Sequence, residues 1–274
     1  MARFLVVASV NADRIWTLAE KLRPGGRHAY TGTSIQIGGA GWYASNALRA
    51  AGHEVALASA IGEDAIGTEI IERLQKLGID TQAVRRTPKT HAYDILVDPD
   101  GERTLFFDGA RAARPLPSLP DGAVFDGAYV NAWSAISAMP CVRPGSPVLV
   151  QLPLRDRAGR YPGTHVVVSR SDTSDAPHAV WAQAEHATGG RLDGLVMTDG
   201  PSPLLVVTPT DEVAVPPGPA APPGQITVGA GDTFAAHLVA QLASGAVLAT
   251  AAAEASLAAS RWLCTRPAPA TIET

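Results

Sequence analysis

Short apolar runs separated by helix-forming stretches predict an α/β fold. Residues 4–10 are a β-rich apolar run that ends in polar residues, and residues 55–61 form a second run. Residues 44–52 are a small-residue stretch ended by a glycine, and residues 64–77 carry apolar positions three or four apart, so both are predicted helices. This order predicts strands joined by crossovers and a mostly parallel sheet. The remaining predicted central strands are 127–131, 147–152, 165–169, 195–198 and 204–208.

Apolar and polar residues alternate at period two in two other stretches, which predicts a second and smaller group of strands. Residues 14–37 contain such alternation, broken by Pro24-Gly25-Gly26. Residues 91–97 and 103–107 flank Asp98-Pro99-Asp100-Gly101, which is typical of a hairpin. We expect these strands to lie outside the main sheet as a lid, within a single domain that spans residues 1–274.

The C-terminal third is predicted to be a loop followed by two helices. Residues 213–224 are rich in proline and glycine, and we expect an ordered loop or edge there and not a domain linker. Residues 233–243 and 246–263 are alanine-rich and are predicted to be helical.

Composition narrows the class of protein. With 46% hydrophobic and 18% charged residues over 274 positions, the chain has the composition of a globular protein, and its net charge of −4 argues against nucleic acid as a partner. Cys141 and Cys264 lie far apart and are predicted to be buried free thiols, which favours a reducing cytoplasm. The N-terminal apolar run is too short for a signal sequence or a membrane span, so we expect no membrane association.

Gly229-Ala230-Gly231-Asp232 marks the start of a predicted apolar helix. The glycines allow a ligand to approach the backbone, and the amides of a first helical turn lack intrahelical partners, so the turn can hold an anion. Asp232 is either a helix cap or a carboxylate that takes a proton from an attacking hydroxyl. Asn11 and Asp13 leave similar alternatives open, because polar residues at a strand end either face a ligand or form a turn.

Several familiar signatures are absent from the sequence. There is no Walker A loop, no Gly-x-Ser-x-Gly elbow and no His-Glu-x-x-His zinc helix. His178 and His186 lack the spacing of metal ligands and are predicted to be surface residues. The glycine pairs resemble only fragments of a dinucleotide fingerprint, so a nicotinamide-dependent oxidoreductase is the least favoured hypothesis.

Five motifs occur together in one order, and in combination they resemble the ribokinase-like, or PfkB, carbohydrate kinase family. The resemblance spans about residues 4–263, and the Gly-Ala-Gly-Asp turn is its most specific part. The motifs are Asn11-Ala12-Asp13, Gly38-Gly39-x-Gly41, Ala60-Ile61-Gly62-Glu63-Asp64-x-x-Gly67, Val97-Asp98-x-x-Gly101-Glu102-Arg103-Thr104 and Gly229-Ala230-Gly231-Asp232-Thr233-Phe234.

The resemblance implies a ribokinase-like three-layer sandwich with a small β lid, and an ATP-dependent transfer of the γ-phosphoryl group to a hydroxyl of a sugar or nucleoside. Asp232 would be the general base, and the amides of Gly229, Ala230 and Gly231 would form an anion hole. The resemblance assigns the acceptor site to Asn11, Asp13, Gly38, Gly39, Tyr43 and Asn46.

For ATP, the resemblance implies a site over the C-terminal part of the chain, with adenine near residues 250–264. Thr198, Gly200 and Thr227 would contact the nucleotide. Mg²⁺ would bridge the phosphates largely through water, with Asp172 as a protein ligand. A homodimer that pairs through the lid strands is also expected.

The sequence departs from the family pattern at several places. Tyr43 stands where the family commonly has an asparagine, and Ser169-Arg170-Ser171-Asp172 is the best match to an Asn-x-x-Glu motif. Ile226 replaces the aspartate of an Asp-Thr pair that accompanies a monovalent-cation site, so the dependence on such a cation stays open. These changes motivate an alternative hypothesis, a non-catalytic sugar- or nucleotide-binding regulator on the same fold.

Overall fold

The structure is a computed structural model, and its elements follow the alternation of strands and helices in the sequence. It describes residues 1–108, 119–120, 122–132, 136, 139–151, 161–190, 192–222, 227–266 and 269–272. The strands are β1 Arg3–Ala8, β2 Asn11–Leu18, β3 Tyr30–Gly38, β4 Glu54–Gly62, β5 Ile79–Asp80, β6 Val84–Thr87, β7 Ala92–Val97, β8 Arg103–Phe106, β9 Gly127–Asn131, β10 Val148–Gln151, β11 His165–Ser169, β12 Gly194–Thr198, β13 Leu204–Val207 and β14 Glu212–Val215. The helices are α1 Ala40–Ala50, α2 Ala65–Lys76, α3 Pro177–Thr188, α4 Ala230–Ala243 and α5 Leu248–Cys264.

Ten strands form the central sheet, in the order β14-β13-β12-β11-β10-β9-β1-β4-β5, with β6 paired to β4. The pairs from β12 to β5 are parallel, whereas β13 and β14 add an antiparallel edge. Phe4, Leu5, Val6 and Val7 of β1 are completely buried because both faces of the sheet are covered. The predicted α/β class and mostly parallel sheet are confirmed.

Helices pack on both faces of this sheet and give three layers. One core joins the sheet to α1, α2, α4 and α5, with Leu48, Leu74 and Leu238 completely buried in it. The other core lies under α3, where Val180 and Ala184 are completely buried. Among the described residues, no helix is long and apolar enough to cross a membrane.

A second sheet of four strands, β3-β2-β7-β8, forms the lid. It is mixed, because β2 pairs parallel with β7 while the β2–β3 and β7–β8 pairs are antiparallel. The predicted hairpin between residues 91–97 and 103–107 is confirmed. Only Ser9 and Val10 separate β1 from β2, so the chain passes directly from the central sheet into the lid.

Some details of the sequence prediction are wrong. Helix α1 begins at Ala40 and not at residue 44, and α4 begins at Ala230 and not at residue 233. The stretch 213–224, predicted to be an ordered loop or edge, contributes its first residues to β14 at the edge of the central sheet, as the second alternative expects. Both cysteines are free thiols, but Cys264 is exposed because it lies at the end of α5. His178 and His186 are exposed as predicted.

Asp64 caps α2 and ties that helix to the segment that enters the lid. Its carboxylate accepts hydrogen bonds from the Gly67 amide at 2.9 Å, the Thr90 amide at 2.9 Å and the Thr90 hydroxyl at 2.5 Å. Burial acts to raise the pKa of Asp64, but these hydrogen bonds outweigh it and hold the pKa below its ordinary value. The ionised side chain therefore stabilises the fold, and that stability is lost as the pH falls through the folded-state pKa.

We expect the Asp64→Ala substitution to lower the free energy of unfolding by about 1–3 kcal/mol at neutral pH, because it removes the cap and leaves Thr90 without this acceptor. Urea denaturation monitored by circular dichroism measures the difference. The matched control is Glu63→Ala, an exposed neighbour, which is expected to change stability by less than about 0.5 kcal/mol. Equal stability of the two variants would contradict the capping role.

Candidate active site

Polar side chains collect at the carboxyl ends of the parallel strands. Asn131 ends β9, Gln151 ends β10, and Tyr129 lies two residues before Asn131 on the same face of β9. The Asn131 side-chain amide donates to the Tyr129 hydroxyl at 3.3 Å, and that hydroxyl lies 2.9 Å from Gln151 Oε1. In open α/β sheets this edge is where ligands bind.

Helix α4 begins against this edge with a tight turn. Gly229 is its N-terminal flanking residue and has φ of 88°, in the left-handed region that favours glycine. A Cβ at this position would overlap the ring of Tyr43, so the turn and the ring pack closely. The amide of Ala230 donates to the Thr227 carbonyl at 3.1 Å. The amide of Gly231 belongs to the first turn, where helical carbonyls offer no partner.

Asp232 lies in the first turn of α4 and points toward the sheet. The N-cap residue of α4 is Gly229 and Asp232 is the third residue of the helix, so the interpretation of Asp232 as the helix cap is wrong. The Tyr129 hydroxyl donates to Asp232 Oδ1 at 2.8 Å, and the Asn131 side chain also hydrogen-bonds to the carboxylate. Burial raises the pKa of Asp232 above its ordinary value, while the bonds from Tyr129 and Asn131 act in the opposite direction.

A second buried carboxylate, Asp13, lies at the start of the lid. Asn11 and Asp13 are on one face of β2, and the Asn11 amide donates to Asp13 Oδ1 at 2.5 Å. These residues are part of a strand, so the interpretation of them as a turn is wrong. A Cβ on Gly38 would overlap the Asp13 carboxylate, and one on Gly39 would overlap the Asn11 side chain. The two glycines therefore make room for these polar groups.

Burial raises the pKa of Asp13 to about 7, with the Asn11 hydrogen bond opposing the shift and the charge of Asp232 adding to it. Asp13 therefore changes its charge near neutral pH, and its protonation is coupled to the charge of Asp232.

One cavity of about 230 Å³ joins the two carboxylates. The sheet edge and the α4 turn lie on one side of it, and the lid lies on the other. The residues that line it are Ser9, Asn11, Asp13, Gly39, Ala40, Tyr43, Tyr93, Ile95, Arg103, Leu105, Asn131, Val228 and Asp232. This mostly apolar cleft, open on one side and with a few convergent polar groups, is suited to a small molecule.

Two residues of the predicted acceptor site, Gly38 and Asn46, do not line this cavity. The Asn46 side chain donates to the Trp42 carbonyl of its own helix at 2.8 Å. Trp42 packs against the hydrophobic core, whereas Tyr43 faces the cavity. Arg14 pairs with Asp94 at 2.6 Å on the exposed side of the lid, so it is a lid residue and not a cavity residue.

The residues predicted to contact ATP and Mg²⁺ lie farther along the strand ends. Thr198 is the last residue of β12, and the exposed Gly200 follows it with φ of 53°. Asp172 ends a short 3₁₀ turn, Arg170–Asp172, directly after β11, and it is exposed. Within the described ranges, no group of three or more His, Cys, Asp or Glu side chains could hold a metal ion. Ile226 lies outside the described residues.

Sequence reasoning did not identify Tyr129, Asn131 or Arg103 as site residues. Tyr129 and Asn131 lie in a run that predicts only a buried strand, and their partner Asp232 is more than a hundred residues away. A usable signal was the polar Asn131 at the carboxyl end of an otherwise apolar strand. Arg103 lines the cavity because it lies two residues before Leu105 and therefore on the same, inner face of β8.

Together the fold and the cavity define an α/β protein with a space suited to a small molecule between a sheet edge and a lid. The chain belongs to the pfkB family of carbohydrate kinases, whose family model matches residues 1–140 and 167–272. The unmatched segment between these ranges contains β10 and therefore Gln151. A search of curated proteins gave no match.

Solved structures show the same fold. Ribokinase from Cryptococcus neoformans var. grubii in complex with ADP is 24% identical, with a TM-score of 0.70, over 95% of this chain and 93% of that one. Arabidopsis thaliana ribokinase complexed with ribose and ATP is 16% identical, with a TM-score of 0.69, over 97% and 94%. A Burkholderia thailandensis nucleoside kinase in complex with inosine is 16% identical, with a TM-score of 0.66, over 94% and 89%.

The raised pKa of Asp13 predicts how stability depends on pH. Because its pKa is about 7 when folded and 3.8 ordinarily, ionising Asp13 destabilises the folded protein, so stability falls as pH rises toward 7. We expect the free energy of unfolding of the wild type to fall, relative to that of Asp13→Asn, by about 2 kcal/mol between pH 5 and pH 8. Urea denaturation at both pH values measures this.

The control is Glu212→Gln, which changes an exposed carboxylate on β14 far from the cavity. It should leave the pH dependence of the wild type unchanged. The same pH dependence in Asp13→Asn and in the wild type would contradict the titration of Asp13 near neutral pH.

Proposed function

We propose that the protein transfers the γ-phosphoryl group of ATP to a hydroxyl group of a sugar or nucleoside, with Asp232 as the general base. The observation that carries this proposal is the position of Asp232. Its carboxylate is buried in the first turn of α4, beside amides that can bind an anion, and in the same cavity as Asp13. Such a transfer requires a base next to an anion site and a cavity that can hold the acceptor beside them.

In this proposal the acceptor lies between Asp13 and the lid. The Asp13 carboxylate and the Asn11 amide form a buried pair that can bind two neighbouring hydroxyl groups. Tyr93, Ile95 and Leu105 present an apolar lid surface to the other face of the acceptor. The ribose and inosine bound by the solved relatives are molecules of this kind.

ATP is proposed to lie along the ends of β11 and β12, with Thr198, Gly200 and Thr227 beside it. Its γ-phosphoryl group would meet the amides of Gly229, Ala230 and Gly231, and the Ala230 amide would first have to leave the Thr227 carbonyl. Mg²⁺ would enter with ATP as part of the substrate and remain bound mainly to phosphates and water, which a single exposed Asp172 suits.

The proton and the bonds of the reaction balance through Asp232. The acceptor O–H gives its proton to the Asp232 carboxylate, the acceptor oxygen forms a bond to the γ-phosphorus, and the bond from that phosphorus to the β–γ bridging oxygen breaks to release ADP. The raised pKa brings Asp232 closer to neutral pH, which suits a base. The lid would exclude water that could otherwise accept the phosphoryl group.

The cellular setting and the assembly are also proposals. ATP as the phosphoryl donor favours the cytoplasm. Within the described residues, part of the outer edge of β3 bonds to residues 270–272, whereas β8 pairs on one side only, so a homodimer could form through the β8 edge of the lid.

Substituting Asp232→Asn tests the role of the base. With Mg-ATP and a panel of pentoses, hexoses, sugar acids and nucleosides, we expect the wild type to form ADP with at least one acceptor. The variant should be slower by about 10²- to 10⁴-fold, because proton transfer to the base is lost. A coupled ADP assay measures the rate.

Asp211→Asn, in the exposed turn between β13 and β14, serves as the control and should retain the wild-type rate. Tight binding of ATP and an acceptor by the wild type without any ADP formation would instead support a regulator.

The Tyr129→Phe substitution tests whether the Tyr129 hydroxyl lowers the pKa of Asp232, the proposed base. Removing the hydroxyl that donates to Asp232 should raise the pKa of Asp232 further, because that hydrogen bond lowers it. The acid limb of the pH profile of kcat/KM should therefore move to higher pH. Tyr161→Phe, which changes another buried tyrosine in the core under α3, should leave the profile in place. An unchanged acid limb in Tyr129→Phe would argue against Asp232 as the titrating base.

A further inference from the structure

Three side chains from α1, α5 and the residues just after α5 pack beside the α4 turn. The ring of Tyr43 contacts Gly229 and meets the Trp262 ring edge to face, with centroids 5.9 Å apart and an angle of 81° between the ring planes. The guanidinium carbon of Arg266 lies 5.0 Å from the centre of the Trp262 ring. The Arg266 side chain also donates a hydrogen bond to the Tyr43 hydroxyl.

The charge balance of the cavity shows why a cation here matters. Asp13 and Asp232 are the two carboxylic acids of the cavity. Both would lie close to ATP, the proposed phosphoryl donor, which is itself strongly anionic. Phosphoryl transfer depends on cationic groups that neutralise the negative charge of the transferred phosphoryl group. The chain has only three lysines, Lys21, Lys76 and Lys89, and all three are exposed and outside the cavity lining.

Among the residues that the structure describes, arginine is therefore the source of positive charge near this site, and the two guanidinium groups in question are those of Arg103 and Arg266. Arg103 lines the cavity from β8, on the lid side where the acceptor is proposed to lie. Arg266 lies outside the cavity lining and bonds to Tyr43, whose ring contacts Gly229 of the α4 turn. Of the two guanidinium groups, Arg266 is the one placed to meet a group held by that turn.

We propose that Arg266 is the cation that neutralises the phosphoryl group at the α4 turn, and that Tyr43 and Trp262 hold it in position. This inference rests on the proposed kinase function. A guanidinium stacked on an aromatic ring keeps its N–H donors at its edge, in the plane where they can bind phosphate oxygens in pairs. It has five donors, and the Tyr43 hydroxyl occupies one of them.

This arrangement also gives a role to Tyr43, the residue at which the sequence departs from the family pattern. Its ring packs against Gly229 on the side of the turn where the acceptor is proposed to lie. Its hydroxyl accepts a hydrogen bond from Arg266 and so fixes the orientation of the guanidinium group. Burial raises the pKa of Tyr43 to about 12, so the hydroxyl stays protonated and can accept from Arg266 while it donates elsewhere.

The test compares Arg266→Ala and Arg266→Lys with the matched control Arg261→Ala, which removes an exposed arginine from the last turn of α5. We expect kcat to fall about 10²- to 10³-fold in Arg266→Ala, and less in Arg266→Lys, which keeps the charge but not the paired donors. Added guanidinium chloride at millimolar concentration should restore part of the activity of Arg266→Ala and leave that of the control unchanged.

A binding measurement makes the test independent of turnover. By isothermal titration calorimetry, Arg266→Ala should bind a non-hydrolysable ATP analogue more weakly than the wild type, by about tenfold or more, while ADP binding changes less than threefold. This difference locates the contact at the γ-phosphoryl group. If the wild type binds the analogue but phosphorylates no acceptor, the proposed reaction fails, and the binding difference still decides the role of Arg266.

Two results would overturn the inference. One is a kcat and an analogue affinity within threefold of the wild type in Arg266→Ala. The other is an equal loss of analogue and ADP binding without guanidinium rescue, which indicates a purely structural contact. If the alanine variant does not fold, the same two measurements on Arg266→Lys decide, since a lysine preserves the aliphatic packing over Trp262.

Discussion

The site depends on one costly arrangement, a carboxylate removed from water at the start of a helix. An ionised group in such a place is unfavourable unless it is hydrogen-bonded, and Asp232 has the Tyr129 hydroxyl and the Asn131 amide as partners. Both partners lie at the carboxyl end of β9, which is fixed between β10 and β1 in the central sheet. The position of β9 in the sheet therefore holds the Asp232 side chain in place. The balance between burial and these two bonds sets the basicity of Asp232.

The connection between the two sheets brings in the second half of the site. Because only two residues separate β1 from β2, the chain enters the lid directly at the edge where α4 begins. Asn11 and Asp13 are therefore fixed by the central sheet and by the lid at once. The third component, the packing of Tyr43 and Trp262 beside Gly229, connects the same edge to α5 and to Arg266. The proposed base, the proposed acceptor-binding pair and the proposed cation thus depend on three separate connections of one fold.

Much of this could be predicted from the sequence, because local patterns report local structure. Apolar runs and helical spacing identified the central strands, the lid hairpin and most helices, and the two glycines beside an acid identified the α4 turn. Helix ends were less accurate: the small residues at the starts of α1 and α4 carry little periodic signal, so both helices begin earlier than predicted. The antiparallel strand β14 was predicted only as part of an ordered loop or edge, because the prolines and glycines that follow Val215 dominate that stretch.

The parts of the site that could not be predicted are those that depend on distant pairing. Asp232 has the spacing of a helix cap, and only the fold shows that it faces Tyr129 across the sheet edge. Arg14 and Arg103 are both lid arginines in the sequence, yet strand alternation and pairing turn the first toward Asp94 and the second into the cavity. Cys264 is apolar in type but lies at a helix end, where nothing covers it.

The central claim is that Asp232 faces the reacting hydroxyl of an acceptor bound next to Asp13. The most direct measurement is a crystal structure of the protein with a non-hydrolysable ATP analogue and an acceptor that it phosphorylates. We predict that the reacting oxygen lies about 2.6–3.2 Å from the Asp232 carboxylate, with the γ-phosphoryl group over the Gly229–Gly231 turn. An acceptor whose reacting oxygen lies beyond hydrogen-bonding reach of Asp232, or an analogue bound away from that turn, would contradict the account.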